Sequence, residues 1–116
     1  MIRTISLLGA LALLTGGAAL AHHGWGSYDA AHPVTITGPI MTLKYENPHA
    51  LITVKGGEKT WTVTLAPTFR MDSRGASAKV VAVGKTVTAY GYPSTVEKDE
   101  MRAERITVDG KNYELR

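Results

Sequence analysis

The strongest constraint on this chain is a two-residue alternation that recurs in short stretches, each closed by turn-forming residues. It is cleanest in Thr60 to Ala66, where Trp61, Val63 and Leu65 fall on one side and Thr60, Thr62 and Thr64 on the other. Period-two patterning over so short a run fits a half-buried strand and conflicts with the 3.6-residue period of a helix. Leu51 to Lys55 precedes it across Gly56-Gly57, and the two stretches read as a hairpin. Upstream, Val34-Thr-Ile-Thr-Gly-Pro-Ile40 puts Val34, Ile36 and Ile40 in one phase, while Leu43 and Tyr45 fall in the other. A bulge or bend between Gly38 and Thr42 reconciles the two halves.

One stretch departs from this pattern. Pro67 opens Thr68-Phe-Arg-Met-Asp-Ser-Arg74, which suits one or two helical turns and stops at Gly75, the only helix this reading draws. Beyond it, Val83-Gly-Lys-Thr86 turns into a strand over Val87 to Tyr92, ended by Pro93. Met101 to Val108 then pairs through Asp109-Gly110 with Asn112 to Leu115. Five or six strands, a short helix after the third and a bent first strand predict an all-β fold, a small OB-like barrel. An immunoglobulin-like sandwich is the alternative, disfavoured by the helical interruption and by the length.

The amino terminus has a different character. Arg3 precedes an apolar and small-residue run from Ile5 to Ala21 with no acidic residue, and Ala19-Leu20-Ala21 supplies small residues for a signal peptidase. The strongly apolar part is shorter than the roughly 20 residues that span a bilayer, and Gly16-Gly17 weakens it as a helix. The expected organisation is a cleaved signal peptide over 1–21, an N-terminal segment over 22–33 and a barrel over 34–116, with no stable membrane insertion after cleavage and a periplasmic or extracellular location. The processed chain, His22 to Arg116, has 95 residues, enough for one domain.

Composition narrows the chemistry. The formal charge is only +3, and the 13 Lys and Arg are interspersed with 10 Asp and Glu, which does not predict nucleic-acid binding. There is no cysteine, so neither disulfides nor thiol chemistry is available, and a soft metal would need histidine or methionine. Met41, Met71 and Met101 are far apart in sequence and are assigned to packing.

The histidines therefore carry the functional reading. Cleavage after Ala21 gives His22 a free α-amino group, with a reference pKa of about 7.7 to 8.0, beside its own imidazole, so one residue can chelate through two nitrogens. A second imidazole, from His23 or His49, completes a three-nitrogen set that suits Cu(II), with zinc as the other candidate. His23 is adjacent but lies on a flexible terminus. His49 follows Glu46-Asn47-Pro48 in the turn between the first two strands, where proline stiffens the backbone. Cleavage after Leu20 would instead put His23 third and recruit backbone nitrogens. His32, before Pro33, reads as a surface residue, and Trp25 and Tyr28 read as tacking the terminus onto the barrel.

These motifs together resemble a known family. The paired His22-His23 after the cleavage site, Asp29, Val34-Thr-Ile-Thr-Gly38, Glu46-Asn-Pro-His49, Trp61, Gly84-Lys-Thr-Val87 and Gly91-Tyr92 are similar to small exported bacterial proteins grouped as domain of unknown function 6152. The likeness covers essentially the whole processed chain. It departs at Gly24, where serine is common, and at Leu65-Ala66-Pro67, where a charged residue is frequent. The resemblance implies an exported barrel and brings no established activity.

Enzyme readings find little footing. The chain has no Gly-x-Ser-x-Gly and no glycine-rich phosphate loop before a helix, and its acidic residues fall mostly in outward phase or in turns such as Glu97-Lys-Asp-Glu100. The remaining catalytic possibility is oxidative copper chemistry at the terminal histidine. Two readings stand: a copper-binding protein of the cell envelope using His22, His23 and His49, and a metal-free barrel that binds a polymer or protein partner through a face around Tyr45, Tyr90 and Tyr92.

Overall fold

The computed structural model describes residues 25–116, so the expected signal peptide and the His22-His23 pair lie outside the described residues. Six strands follow a single 3-10 turn at Trp25–Ser27: β1 (Val34–Lys44), β2 (Leu51–Gly56), β3 (Lys59–Thr64), β4 (Thr86–Pro93), β5 (Glu100–Val108) and β6 (Lys111–Glu114). One α-helix, α1 (Thr68–Ser73), stands between β3 and β4. The sheet runs β3-β2-β1-β4-β5-β6 and closes on itself where β3 pairs with β5 in parallel, Thr62 against Glu100 and Thr64 against Arg102. Five strands form the barrel. β6 is an addition: it pairs with β5 from Arg105 to Val108, beyond the Glu100–Arg102 stretch that β3 occupies.

Closure requires strands to bend, and the sequence provides for it in two ways. β1 pairs with β4 through its first half and with β2 through its second, and the register on β2 slips between Ile40 and Thr42. That slip is the bulge expected from the change of phase. Glycine supplies the rest, since a Cβ at Gly38 would lie 1.9 Å from the Lys55 carbonyl oxygen and one at Gly91 would lie 2.0 Å from that of Arg102.

The interior follows the alternation. Ile36, Ile40, Ile52, Val54, Val63, Leu65, Val87, Ala89, Met101, Ala103, Ile106 and Val108 are buried, and no polar or charged side chain is buried with them among the described residues. Met71 of α1 is fully buried and seals one end of the barrel. The packing role expected of the methionines holds for Met71 and Met101 and fails for Met41, which is 50% exposed. Met41 is the unpaired residue at the bulge, so its side chain leaves the inward phase.

Helix α1 is held to the rest of the chain from outside. Its N-cap is Pro67, which provides no side-chain acceptor; Asn47 of the β1–β2 loop does so instead, its Oδ1 accepting from the Thr68 amide and hydroxyl, each at 3.1 Å. The Tyr45 hydroxyl donates to Asp72 from the same loop. These bonds tie the Asn47-Pro48-His49 turn, whose Asn47–Pro48 peptide is cis, to the helix.

Candidate functional site

His49 is the one described member of the expected ligand set, and three constraints fix its position. Asn47 is bonded to α1, as described above. Ala50, immediately after His49, pairs with the continuation of β3: its amide donates to the Ala66 carbonyl and its own carbonyl accepts from Leu65, each at 2.8 Å. Thr64 then sits in register with Arg102 on β5. The result brings His49 Nε2 to 3.4 Å from Arg102 Nη2, across 53 residues of sequence.

A guanidinium only donates, so Nε2 is the acceptor in this long contact and the proton of the neutral ring belongs on Nδ1. Burial lowers the His49 pKa below its ordinary value, and the positive charges of Arg102 and Arg70 lower it further. At neutral pH the ring is therefore uncharged, the form that ligates metals.

Arg102 is the hub of this face. Its Cζ lies 4.0 Å from the centroid of the Trp25 ring, and Arg116 Cζ lies 4.7 Å from the same centroid. Trp25 also makes edge-to-face contacts with Tyr28 and Tyr92, at 6.3 and 6.0 Å between centroids. Stacked cations and perpendicular rings are both attractive to an indole face or edge, so Trp25 is gripped from several sides. Tyr28 adds a second anchor, its hydroxyl donating to Glu100 Oε2 at 2.6 Å while Thr64 donates to the same oxygen at 3.1 Å. Burial, then the Glu100 carboxylate, pushes the Tyr28 pKa up to about 12, so the phenol remains a donor throughout the physiological range. The backbone follows, with the Asp29 amide donating to the Pro93 carbonyl at 2.9 Å. The tacking role expected for Trp25 and Tyr28 is what these contacts perform.

Beside this anchor lies an open depression of about 300 Å³ lined by Leu51, Thr62, Thr64, Glu97, Lys98 and Glu100. It shares Thr64 and Glu100 with the Tyr28 anchor. His32 lies on the surface, bonded through Nδ1 to Asp29 at 2.9 Å.

No group of three His, Cys, Asp or Glu side chains converges among the described residues, so the barrel alone does not assemble a full set of metal ligands. The aromatic face divides as well. Tyr90 and Tyr92 are neighbours at 6.1 Å, and Trp25 continues that row. Tyr45 does not join it; it follows the far end of β1 from the residues that pair with β4 and is bonded to Asp72. The residues that sequence reasoning did not single out are Arg102, Arg70 and Glu100. The alternation Met101-Arg102-Ala103 does place Arg102 outward, but nothing local says that it will meet His49.

Comparison with solved structures finds the same barrel in unrelated sequences. The crystal structure of the S. pombe Stn1-Ten1 complex is similar at 17% identity and a TM-score of 0.54, over 66% of this chain and 57% of that one. TiaS is similar in two crystal structures: a ZRD-deleted mutant in complex with agmatine, and a complex with tRNA(Ile2) and ATP. The first gives 14% identity and a TM-score of 0.55 over 75% of this chain and 27% of that one; the second gives 13% and 0.51 over 70% and 19%. The chain thus spans little more than half of the first of these and about a quarter or less of TiaS, and the likeness is one of fold. No curated protein sequence matches the chain. The model for a family of unknown function, DUF6152, matches residues 10–102, most of the chain, and the chain belongs to that family.

Proposed function

We propose that this protein binds Cu(II) outside the cytoplasm, in the periplasm or beyond it, through the processed amino terminus. His22 contributes its amine and imidazole, His23 a further imidazole, and His49 an auxiliary one from the barrel. The observation that supports this reading is the grip on Trp25. Three residue steps, at most roughly 11 Å of extended chain, separate His22 from a ring stacked on Arg102, which is itself the neighbour of His49. A terminus anchored so close to its first residue loses little further freedom when it closes on an ion.

The fit has an internal hierarchy. His49 is neutral and half-buried, as a ligand should be, but its Nε2 faces Arg102, and both Arg102 and Arg70 repel a cation there. Ligation through Nε2 requires Arg102 to leave it. The terminal amine and imidazoles therefore carry most of the affinity, and His49 adds to it. Zinc suits the same nitrogens with a tetrahedral preference and is the metal to compare.

The test is a Cu(II) titration of correctly processed protein, read by the visible d–d absorption band. A saturable band is expected, lost when His22, His23 and His49 are replaced together and shifted in wavelength when one residue is left ahead of His22, which puts His23 third and recruits backbone nitrogens. The proposal fails if no saturable band appears, or if the band survives the triple replacement. In that event the row Tyr90-Tyr92-Trp25 favours the other reading, a barrel that binds an envelope partner through its aromatic face.

A further inference from the structure

Arg102 is under-satisfied in a way the copper reading does not explain. Its guanidinium offers five N–H donors, yet its only hydrogen-bond contact among the described residues is the long one to His49. Its Nε is buried and has no acceptor there. A buried donor without an acceptor is destabilising, the more so when the group is charged.

The charges around it are unbalanced too. Arg116 is paired with Glu104 at 3.0 Å and Arg105 with Glu114 at 3.6 Å, whereas neither Arg102 nor Arg70 has a carboxylate within ion-pair distance among the described residues. The carboxylate that acts on Arg102 from two residues away, Glu100, already accepts from Tyr28 and Thr64 through Oε2. Arg70 stands in the last turn of α1, the short helix bonded to the His49 loop through Asn47, and its field reaches both Arg102 and His49. Arg102 and His49 thus meet on the outer face of the barrel, within the field of Arg70, and neither guanidinium has a carboxylate partner among the described residues.

We infer that Arg102, Arg70 and His49 form a binding site for a small oxyanion, carried by its ligand as a carboxylate or a phosphate. The planar fork of Arg102 suits either group, Arg70 supplies the second positive charge, and the neutral His49 ring can offer its Nδ1 donor to the anion. Trp25, stacked on Arg102, holds the guanidinium in place. An anion that accepts from Arg102 Nη2 also draws it off His49 Nε2. The site shares His49 with the copper reading but needs no metal, because Arg102 and Arg70 carry its charge, so the two are tested separately on metal-free protein.

The experiment uses processed, chelator-treated, metal-free protein at constant ionic strength, titrated in separate arms with inorganic phosphate and with acetate. NMR follows the Arg102 Nε–H and His49 ring resonances. Saturable movement of both sets is expected, and the tighter arm assigns the ligand class. Arg102→Gln should weaken binding about tenfold or more, the loss of a charge-assisted bond, and Arg70→Gln should weaken it by a smaller factor. Arg105→Gln, at a guanidinium already paired with Glu114, should leave it unchanged. Arg70 is a partly exposed helix residue, so its variant remains informative if Arg102→Gln does not fold. The inference is overturned if neither anion gives saturable shifts, if chloride produces the same shifts, or if Arg70→Gln binds as tightly as the unmodified protein.

Discussion

The inside of the barrel and the outer face of β3 and β5 are built on opposite terms. Inside, every buried side chain of the described residues is apolar and the strands alternate with little interruption. On the outer face, Arg102, Glu100 and His49 are partly buried, Trp25 and Tyr28 of the incoming N-terminal segment pack on Arg102 and Glu100, and the Arg102 Nε lacks an acceptor among the described residues. The interior minimises free energy by exclusion of water. The outer face keeps charged groups in a semi-dry environment, where they shift one another's protonation. The contrast separates the part of the molecule that serves the fold from the part that carries the proposed sites.

Four substitutions or conditions break or sharpen that contrast. Ile106 is fully buried on β5, and Ile106→Ala should cost about 2–5 kcal/mol in urea unfolding, the range for a large aliphatic side chain removed from a packed core. A cost below 1 kcal/mol would mean that the interior is loosely packed. Trp25→Ala removes both cation contacts and both edge-to-face contacts and should cost a smaller amount, about 1–3 kcal/mol. It should also speed hydrogen exchange at the Asp29 amide, because the anchor is local, while leaving exchange in β1 and β2 slow.

The third test is titration. The folded-state pKa of His49 lies below its unfolded value of about 6.5, so the folded protein holds the ring neutral where the unfolded chain would protonate it. The associated stability is fully present above pH 6.5. It declines as pH falls through 6.5 towards the folded value, and below that value the loss is complete. Comparing urea midpoints of the unmodified protein and His49→Gln across this window isolates the effect from the carboxylates, which titrate lower. Parallel curves would show that neither burial nor the Arg102 and Arg70 fields shift the ring. The smallest effect belongs to His32→Ala, at an ion pair whose histidine side chain is 80% exposed, and should stay within about 0.5 kcal/mol.

Much of the interior was legible in the sequence. The pattern Trp61-Val63-Leu65 foretold β3, the phase change after Ile40 foretold the bulge in β1, and Pro67 with Gly75 bracketed α1. Each of these is a local signal, since period and turn chemistry depend on residues a few positions apart. Met41 was misjudged because an apolar residue at a bulge leaves the inward phase, and the alternation does not say which residue is the extra one. The extent of β6 as a sixth strand beyond the closed five was only half visible, because the Asp109-Gly110 turn announces the hairpin but not what lies on its other side.

The outer face was legible only in pieces. His49 stood out by its residue type and its turn, and Trp25 and Tyr28 by their position behind the paired histidines. Arg102 did not stand out, because its importance comes from the parallel pairing of β3 with β5, which brings it beside a loop 53 residues earlier in the chain. Short-range periodicity and burial preference thus account for the strands, the turns, helix α1 and the residues that prefer the interior. Only the tertiary structure decided which outward residues become neighbours. Barrel closure is a long-range packing event whose register is set by the whole interior, and no single stretch of the chain encodes it.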